Sequence, residues 1–303
     1  MEEHLVSVVI PSYNRCDRIM RAVQSVLSQT YLNLEVIIVD DGSNDNTDEL
    51  VNSIDDDRVK YIKLHSNGGA CHARNVGISE SKGDYIAFQD SDDFWHPDKL
   101  EKQVKTLIKT GADVLGCSYE QYLEDGRVFV KTVPNDIESG FCKVDQVAGN
   151  ALFGTPTIIA KADIIKANLF DESLPRFQDF ELILRLIQKN RIYFLNDSLV
   201  DAYVQNNSIT QNYAKLIQAE EIILSKHAEV IEKYSSQKAL HLRRLIRAKT
   251  MESVSCKNEC KLLFQTDRHL KSLTVCALHK IGLLSFYYNY LDKYNNNMSG
   301  GRK

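Results

Sequence analysis

The stretch Tyr85-Ile86-Ala87-Phe88-Gln89-Asp90-Ser91-Asp92-Asp93 decides how this chain reads. An apolar run ends in three carboxylates within four residues. A short apolar run of this kind predicts a buried strand. Open α/β sheets place their ligands at the carboxyl ends of the strands, so the three acids are expected at a functional rim. Like charges crowded there repel one another unless a cation joins them. Oxygen-only ligands suit Mg²⁺ or Mn²⁺, ions that usually neutralise phosphates. Asp also caps helices, and Pro97 with the run Lys99 to Thr110 predicts a helix start. Capping needs one acid, not three, so the spacing favours a metal site.

Working outward, strand and helix patterns alternate. Val6 to Pro11 is a β-branched run that predicts a strand, and Leu34 to Val39 and Val59 to Leu64 predict two more. Ile19, Val23, Val26 and Leu27 recur at helical spacing, and helices are expected from about Thr47 to Ile54 and from Ala70 to Ser79. Strict alternation implies βαβ units and a parallel sheet. Their crossovers are right-handed, which puts every strand's carboxyl end on one edge. After Gly111 the pattern changes. Val114 to Tyr122 and Arg127 to Val133 flank Glu124-Asp125-Gly126 and predict a hairpin. A short strand at Thr157 to Ala160, a helix at Asp179 to Gln188 and strand structure in Ile192 to Val204 follow. Beyond Ala214 the chain reads as helical, with segments Ala214 to Tyr234 and Gln237 to Ser255 and weaker helices to about Tyr294. The end from Asn295 to Gly301 reads as frayed.

The 303 residues carry a net charge of −4, unevenly divided. From Ala214 to Lys303 sixteen Lys/Arg face eight Asp/Glu, a balance of +8 against −12 for the rest. A basic tail on an acidic body suggests an anionic surface as partner; a solvated helical face is the alternative. Seven cysteines form no regular framework, Cys256 and Cys260 are not spaced as a zinc pair, and reduced thiols are expected. Met1-Glu2-Glu3-His4 does not read as a signal peptide. Leu273 to Tyr290 is broken by His279 and Lys280, too interrupted for a membrane span, though it could lie in an interface.

Four polar groups fall at the carboxyl ends of the predicted strands: Pro11-Ser12-Tyr13-Asn14-Arg15, Asp40-Asp41, Asn67-Gly68-Gly69 with Arg74, and Asp90, Asp92 and Asp93. Each suits a nucleoside diphosphate. Tyr13 offers a flat face to a base, where stacking contributes ~1–3 kcal/mol; an aromatic capping the sheet edge is an equal reading. Asp41 can accept from an imide N–H, which uracil has and cytosine lacks. Asp40 can orient it or reach the ribose. Asp-Asp-Gly-Ser is also strong turn chemistry. Arg74 can fork a phosphate or form a surface ion pair. A dinucleotide fingerprint is absent after the first strand, and so is a P-loop lysine motif.

Val6-Ser7-Val8-Val9-Ile10-Pro11-Ser12-Tyr13-Asn14, Val39-Asp40-Asp41-Gly42-Ser43, Ala73-Arg74-Asn75 and Asp90-Ser91-Asp92-Asp93 together resemble the family 2 glycosyltransferases, in order and in spacing. The resemblance is strong over residues 5–110 and extends to about 205. It implies an α/β GT-A fold: a Rossmann-like mixed sheet flanked by helices, here with a C-terminal helical extension. Residues 1–110 would be the nucleotide-sugar-binding half, 111–213 the acceptor-binding half and 214–303 a basic helical region. The resemblance makes Asp92 the direct ligand of Mn²⁺ or Mg²⁺, with Asp93 supporting it. Asp90 contacts the ribose or the metal shell. Tyr13 and Asp41, beside Pro11 and Asp40, hold uracil, and Arg74 binds nearby. It also implies a later carboxylate general base at the opening of a helix. Arg176-Phe177-Gln178-Asp179-Phe180-Glu181-Leu182 matches, so Asp179 is the expected base; capping of that helix is its other reading.

The expected reaction is transfer of a hexosyl group from a UDP-sugar, UDP-glucose or UDP-galactose above others, with inversion. The acceptor is a hydroxyl of a lipid-linked saccharide such as GlcNAc-diphosphoundecaprenol, in O-antigen or capsule assembly. Phe94 and Trp95 either line the acceptor pocket or pack in the core. Arg243, Arg244 and Arg247 lie near one another on a predicted helix, with Leu242, Leu245 and Ile246 opposite. That face would hold the protein at the cytoplasmic surface of the inner membrane, unless the tail pairs with a second subunit. Nucleic acid is not an expected partner. An inactive nucleotide-binding scaffold and a nucleotidyltransferase are the competing classes; the second would need a Gly-rich basic loop where Pro11-Ser12-Tyr13-Asn14 stands.

Overall fold

The computed structural model describes residues 4–123, 128–131, 138–149, 152–204 and 212–291. The chain forms two compact units. The first comprises Met1–Val147, Ala151–Ser173 and Gln178–Asn206; the second comprises Ala148–Asn150, Leu174–Phe177 and Asn207–Lys303. Residues on both sides of position 110 therefore belong to one unit.

In the first unit, β1 (Val6–Ser12), β2 (Leu34–Asp40), β3 (Val59–Lys63) and β4 (Tyr85–Phe88) pair in parallel in the order β3-β2-β1-β4. Helices α1 (Ile19–Leu27), α2 (Thr47–Asn52) and α3 (Ala70–Glu80) make the connections. The two-residue period of the strands explains the layering. Val6, Val8 and Ile10 of β1 and Leu34, Val36 and Ile38 of β2 pack with Ile19, Val23 and Val26 of α1. Ile37 and Val39 point the other way, onto Ala73 of α3. With both faces covered, these strands read as nearly continuous apolar runs. Helix α3 lies so close to β1 that a Cβ on Gly77 would meet Val9 Cγ1 at 2.3 Å. The register aligns the carboxyl ends, with Ser12 opposite Asp40 and Asp40 opposite Lys63. The four polar groups read from the sequence therefore follow one edge of the sheet.

The sheet continues through β5 (Phe94–Trp95), α4 (Lys99–Thr110), β6 (Val114–Leu123), β7 (Val128–Lys131), β8 (Gly140–Phe141), α5 (Val144–Val147), a 3₁₀ turn at Thr155–Thr157, β9 (Ile159–Lys161), α6 (Ala162–Lys166), α7 (Gln178–Leu186) and β10 (Ile192–Val204). Strand β9 runs antiparallel between β4 and β6, and β10 is parallel to β6, so the whole sheet is mixed. Strands β6 and β7 form the expected antiparallel hairpin, whose Glu124-Asp125-Gly126 turn lies outside the described residues. The two-residue strand β5 carries no periodic signal, yet it pairs with β10 directly after the acidic rim: Phe94 faces Asp201, and Trp95 faces Val200. Trp95 is fully buried, donates through Nε1 to the Pro156 carbonyl at 3.0 Å and carries Lys99 Nζ 3.6 Å from its ring centroid. Of the two readings for Trp95, core packing holds.

The second unit contains α8 (Tyr213–Lys226), α9 (Ala228–Ile231), α10 (Ser235–Met251), α11 (Lys257–Thr266) and α12 (Leu270–Lys280), and residues 284–291 are helical again. The Asn212 side chain caps α8 by accepting from the Lys215 N–H at 2.9 Å, an interaction worth about 1 kcal/mol. The single helix expected from Ala214 to Tyr234 is interrupted at His227. Leu242 and Ile246 of α10 pack with Leu263, Val275 and Leu284 in a core of this unit's own. The outward basic face expected on α10 is corrected by the structure. Arg243 donates to Asp267 at 3.0 Å and to Ser272 at 2.8 Å. Arg244 Nε lies 2.7 Å from fully buried Glu220. Asp267, just after α11, and Glu220 of α8 hold these two arginines, and the helical period of α10 gives no view of them. The segment 295–301 lies outside the described residues.

Candidate active site

The loop after β1 is stitched to the loop after β2. Asn14 adopts the left-handed backbone region at φ 51°, which Asn tolerates better than most residues. Its N–H donates to Ser43 Oγ at 2.8 Å, and its Oδ1 accepts from the Asn44 N–H at 2.9 Å. The Cys16 N–H donates to Asp45 Oδ2 at 3.1 Å. Burial disfavours the charge on Asp45, but hydrogen bonds from Thr47 and Cys16 outweigh it and hold the carboxyl at about 2. This scaffold leaves Pro11 buried inside the end of β1 and Tyr13 exposed (41 %) just past it.

The two acids of Asp40-Asp41 divide their work. Asp40 is buried at the end of β2. Its Oδ1 accepts from the Ser43 N–H at 2.8 Å, and its Oδ2 accepts from the Tyr61 hydroxyl at 2.6 Å, where burial and the adjacent carboxylate push the phenol upward. Of its two expected roles, orienting fits this pairing better than reaching a ribose. Asp41 is also buried and grips the next loop. Its Oδ1 accepts from the Gly68 N–H at 2.8 Å and its Oδ2 from the Gly69 N–H at 2.7 Å. Gly42, between these acids and Ser43, sits at φ +80°, and a Cβ there would stand 3.0 Å from the Ser66 carbonyl carbon. Turn chemistry and site chemistry thus occupy the same four residues. A carboxylate oxygen has two acceptor sites, so Asp41 keeps capacity for a further donor.

At the end of β4 the three acids point to different neighbours. Asp90 Oδ1 accepts from Arg74 Nη2 at 2.6 Å. Asp93 is buried, and its Oδ1 accepts from the Tyr203 N–H of β10 at 3.0 Å. Between them stands half-buried Asp92, whose carbonyl accepts from Arg21 Nη2 at 2.7 Å. Arg21 also lies 3.9 Å from the ring centroid of Tyr203. Burial, then the charge of Asp90, raises the Asp92 carboxyl. Burial, Asp90 and Asp92 together raise Asp93 well above the ordinary carboxylate range. Arg15 and Arg18 act against this rise at Asp92 and Arg21 at Asp93, but burial and the neighbouring carboxylates prevail. An all-oxygen donor set with surplus negative charge fits a hard divalent cation. Asp92 with Asp90 beside it is the natural pair of holders. Asp93, whose Oδ1 accepts from the Tyr203 N–H, would support them from behind, and that bond leaves its Oδ2 uncommitted.

Arg74 connects this rim to the base expected later in the chain. It is buried in α3; Nη2 holds Asp90, and Nη1 donates to Gln178 Oε1 at 3.2 Å. Burial opposes its charge, but the charge of Asp90 prevails and holds the guanidinium protonated. The phosphate-facing arginine read from the sequence is thus an internal tie with N–H groups to spare, since a guanidinium has five. Gln178 opens α7, and Asp179 follows it. Asp179 Oδ1 accepts from the Phe180 N–H at 2.7 Å, as a carboxylate at a helix start does. Asp179 contributes to the field at both Arg74 and Cys71 of α3. Glu181 is fully buried and paired with Arg185 at 2.9 Å, which removes it as a base.

The structure thus places Tyr13, Asp40, Asp41, Asp90, Asp92 and Asp93 at or just past strand ends of one unit, while Arg74 of α3 ties Asp90 to Gln178, the neighbour of Asp179 in α7. Sequence reasoning missed Tyr61, Arg21 and the Tyr203 backbone, which brace the acids. It also missed Gln178 as the partner of Arg74. Gln178 supplies an amide oxygen as the acceptor for Arg74.

The family model for glycosyl transferase family 2 matches residues 7–160, about half of the chain. The putative teichuronic acid biosynthesis glycosyltransferase TuaG of Bacillus subtilis is 33 % identical over 216 residues, covering 69 % of this chain and 82 % of its own. A UDP-Glc:alpha-D-GlcNAc-diphosphoundecaprenol beta-1,3-glucosyltransferase of Escherichia coli, WfgD, is 29 % identical over 231 residues, covering 76 % of this chain and 88 % of its own. Matched regions span about a third of the length of several Rickettsia glycosyltransferases that are 33–35 % identical. Among solved structures, Staphylococcus aureus TarS 1–349 in complex with UDP-GlcNAc superposes with a TM-score of 0.66 at 19 % identity, covering 96 % of this chain and 92 % of that one. The mannosyltransferase PcManGT of Pyrobaculum calidifontis, in complex with GDP-Man and Mn²⁺, gives 0.62 at 16 % identity, covering 96 % and 84 %. These likenesses show the fold: a mixed α/β sheet of GT-A type followed by helices. The chain belongs to glycosyl transferase family 2.

Proposed function

We propose that this protein moves a hexosyl residue from a UDP-sugar, with inversion, to a hydroxyl of a lipid-linked saccharide in bacterial surface-polysaccharide synthesis. The observation that carries the reading is the tie from Asp90 through Arg74 to Gln178, which links the acidic rim to the helix that begins with the base. Tyr13 stacks on uracil, and Asp41 accepts from its imide N–H through its remaining acceptor capacity. Asp92, with Asp90, would hold Mn²⁺ or Mg²⁺, which as a Lewis acid offsets negative charge on the diphosphate. Arg74 holds Asp90 in place. Asp179 takes the proton of the acceptor hydroxyl as the C–O bond forms. A base on the ring face opposite the departing UDP suits direct displacement through an oxocarbenium-like state.

UDP-glucose and GlcNAc-diphosphoundecaprenol are the favoured pair, because the name of the Escherichia coli relative contains both. A peripheral place at the cytoplasmic membrane surface fits the second unit. No helix among the described residues is long and apolar enough to cross a membrane. Leu270, Ile281, Leu283, Phe286 and Tyr290 are nonetheless exposed, near exposed Lys271 and Lys280. These residues, rather than the paired arginines of α10, are the ones available to a lipid surface. The decisive assay is UDP release over a panel of UDP-sugars with a synthetic GlcNAc-diphospho-lipid acceptor. Acceptor-dependent UDP is expected with one donor. Pyrophosphate in its place would make the protein a nucleotidyltransferase, and release of neither would make it a scaffold.

A further inference from the structure

Two cysteines and a histidine of the second unit meet in a way their spacing conceals. Cys256 occupies the residue before α11, Cys260 lies one turn into that helix, and His279 sits in the last turn of α12. Their ligating atoms all lie within 4.8 Å of one another, and among the described residues they alone form such a trio. Cys256 Sγ is 3.7 Å from His279 Nδ1. A tetrahedral zinc ion with bonds of ~2.3 Å to sulfur and ~2.0–2.1 Å to nitrogen sets those two atoms roughly 3.6 Å apart, so this edge of a coordination shell already has its length. Cys256 and Cys260 are buried and His279 is half-buried. The thiolate is the form that binds metal.

Packing alone is the simpler account of a buried cysteine, which behaves as a small apolar residue. Cys276 shows that behaviour: it lies in the same core, and its thiol donates to the Cys260 carbonyl at 3.3 Å, away from the trio. Packing does not explain why the other two sulfurs share one side with an imidazole nitrogen. Beside them lies a cavity of about 470 Å³ lined by Thr250, Ser253, Cys256, His279 and Ser285, among others. It offers room for water at a fourth position.

We propose that Cys256, Cys260 and His279 form a Zn²⁺ site that fastens α11 to α12 and completes its shell with water from the cavity. Two thiolates and an imidazole are soft to borderline donors, which select zinc over manganese and magnesium. The acidic rim of the first unit has the opposite preference, so the two sites draw on different ions. The role is structural. The unit's core is small, a metal is a common staple for small cores, and this one would join residues more than twenty positions apart.

The test uses the full chain, reduced and stripped of metal, titrated with Co²⁺. One equivalent should bind with the intense visible bands of tetrahedral cobalt and a sulfur-to-cobalt charge-transfer band. Zn²⁺ should bleach both, Mn²⁺ neither, and Zn²⁺ should raise the unfolding temperature. His279→Gln and Cys256→Ser, each checked by circular dichroism for retained helix, should bind at least about tenfold more weakly. Cys142→Ser, in the first unit, should leave the spectrum unchanged. Absent bands, an octahedral spectrum, or full affinity in His279→Gln would overturn the site. So would an intact mass two hydrogens light, mapped to a Cys256–Cys260 disulfide, with no metal taken up after reduction.

Discussion

The acidic rim of the sheet and the buried acids of the helical unit handle carboxylates in opposite ways. In the helical unit each such acid is balanced where it stands. Glu220 meets Arg244 at 2.7 Å and His241 Nδ1 at 2.6 Å, and Asp267 accepts from Arg243 and Ser272. At the rim, burial and Asp90 raise Asp92, and burial, Asp90 and Asp92 raise Asp93, against the opposing charges of Arg15, Arg18 and Arg21, while Arg74 pairs with Asp90. A balanced set of charges serves the fold. A surplus that the chain keeps against its own stability points to a ligand from outside. The basic tail teaches the same lesson from the other sign: its net charge suggested a surface for anions, but Arg243 and Arg244 are engaged inside.

Four substitutions would break or sharpen this contrast. Asp179→Asn should have the largest effect. A positioned base contributes ~10²–10⁴-fold, so kcat should fall by that factor while UDP binding, read by calorimetry, stays as it was. Unchanged turnover would return Asp179 to the role of helix cap. Glu220→Gln comes next. It keeps the shape and removes the charge that Arg244 and His241 share, and breaking a buried pair costs about 3–5 kcal/mol. Urea unfolding should show that loss, and a variant as stable as the parent would mean the network contributes nothing net. Asp92→Ala should weaken Mn²⁺-dependent UDP affinity by about 100-fold and leave metal-free binding nearly unchanged. Equal weakening with and without Mn²⁺ would remove Asp92 from the metal.

What the sequence disclosed follows from how each feature is encoded. The β1–β4 strands were legible because both faces of a parallel sheet are buried, so Val6 to Ile10 and Leu34 to Val39 are apolar runs, interrupted only by Ser7 and Glu35 and ended by polar loops. The rim was legible because the Asp90-Ser91-Asp92-Asp93 cluster is contiguous. Ties between distant segments were not. Arg74 and Gln178 are 104 positions apart, Asp93 and Tyr203 are 110 apart and one partner is a backbone N–H, and β5 is two residues long. Asp179 is expected as the base from the family resemblance alone, and its neighbour Gln178 reaches the rim through Arg74. In the helices, amphipathic period predicted which residues are buried and failed for the arginines, because a face of one helix does not reveal an acid on the next.

Asp93→Asn should have the smallest effect and is the most telling. Burial and the neighbouring Asp90 and Asp92 raise the Asp93 carboxyl well above its ordinary 3.8. The folded protein then holds a proton that the unfolded chain has already lost. Stability falls with rising pH wherever the native state binds the extra proton. For Asp93 that window opens near 3.8 and runs up to the raised folded value, above which the full penalty is present. Asn keeps the oxygen that accepts from the Tyr203 N–H and abolishes the charge. The variant should therefore be more stable than the parent at pH 7 by about 0.5–2 kcal/mol, in the range seen when strain at a functional site is relieved. Its stability should also decline less as pH rises through that window. Mn²⁺ should recover part of the same energy in the parent and less in the variant. A destabilised Asp93→Asn with an unchanged pH slope would mean that the rim is balanced like the helical network, and the surplus negative charge that points to a cation would be gone.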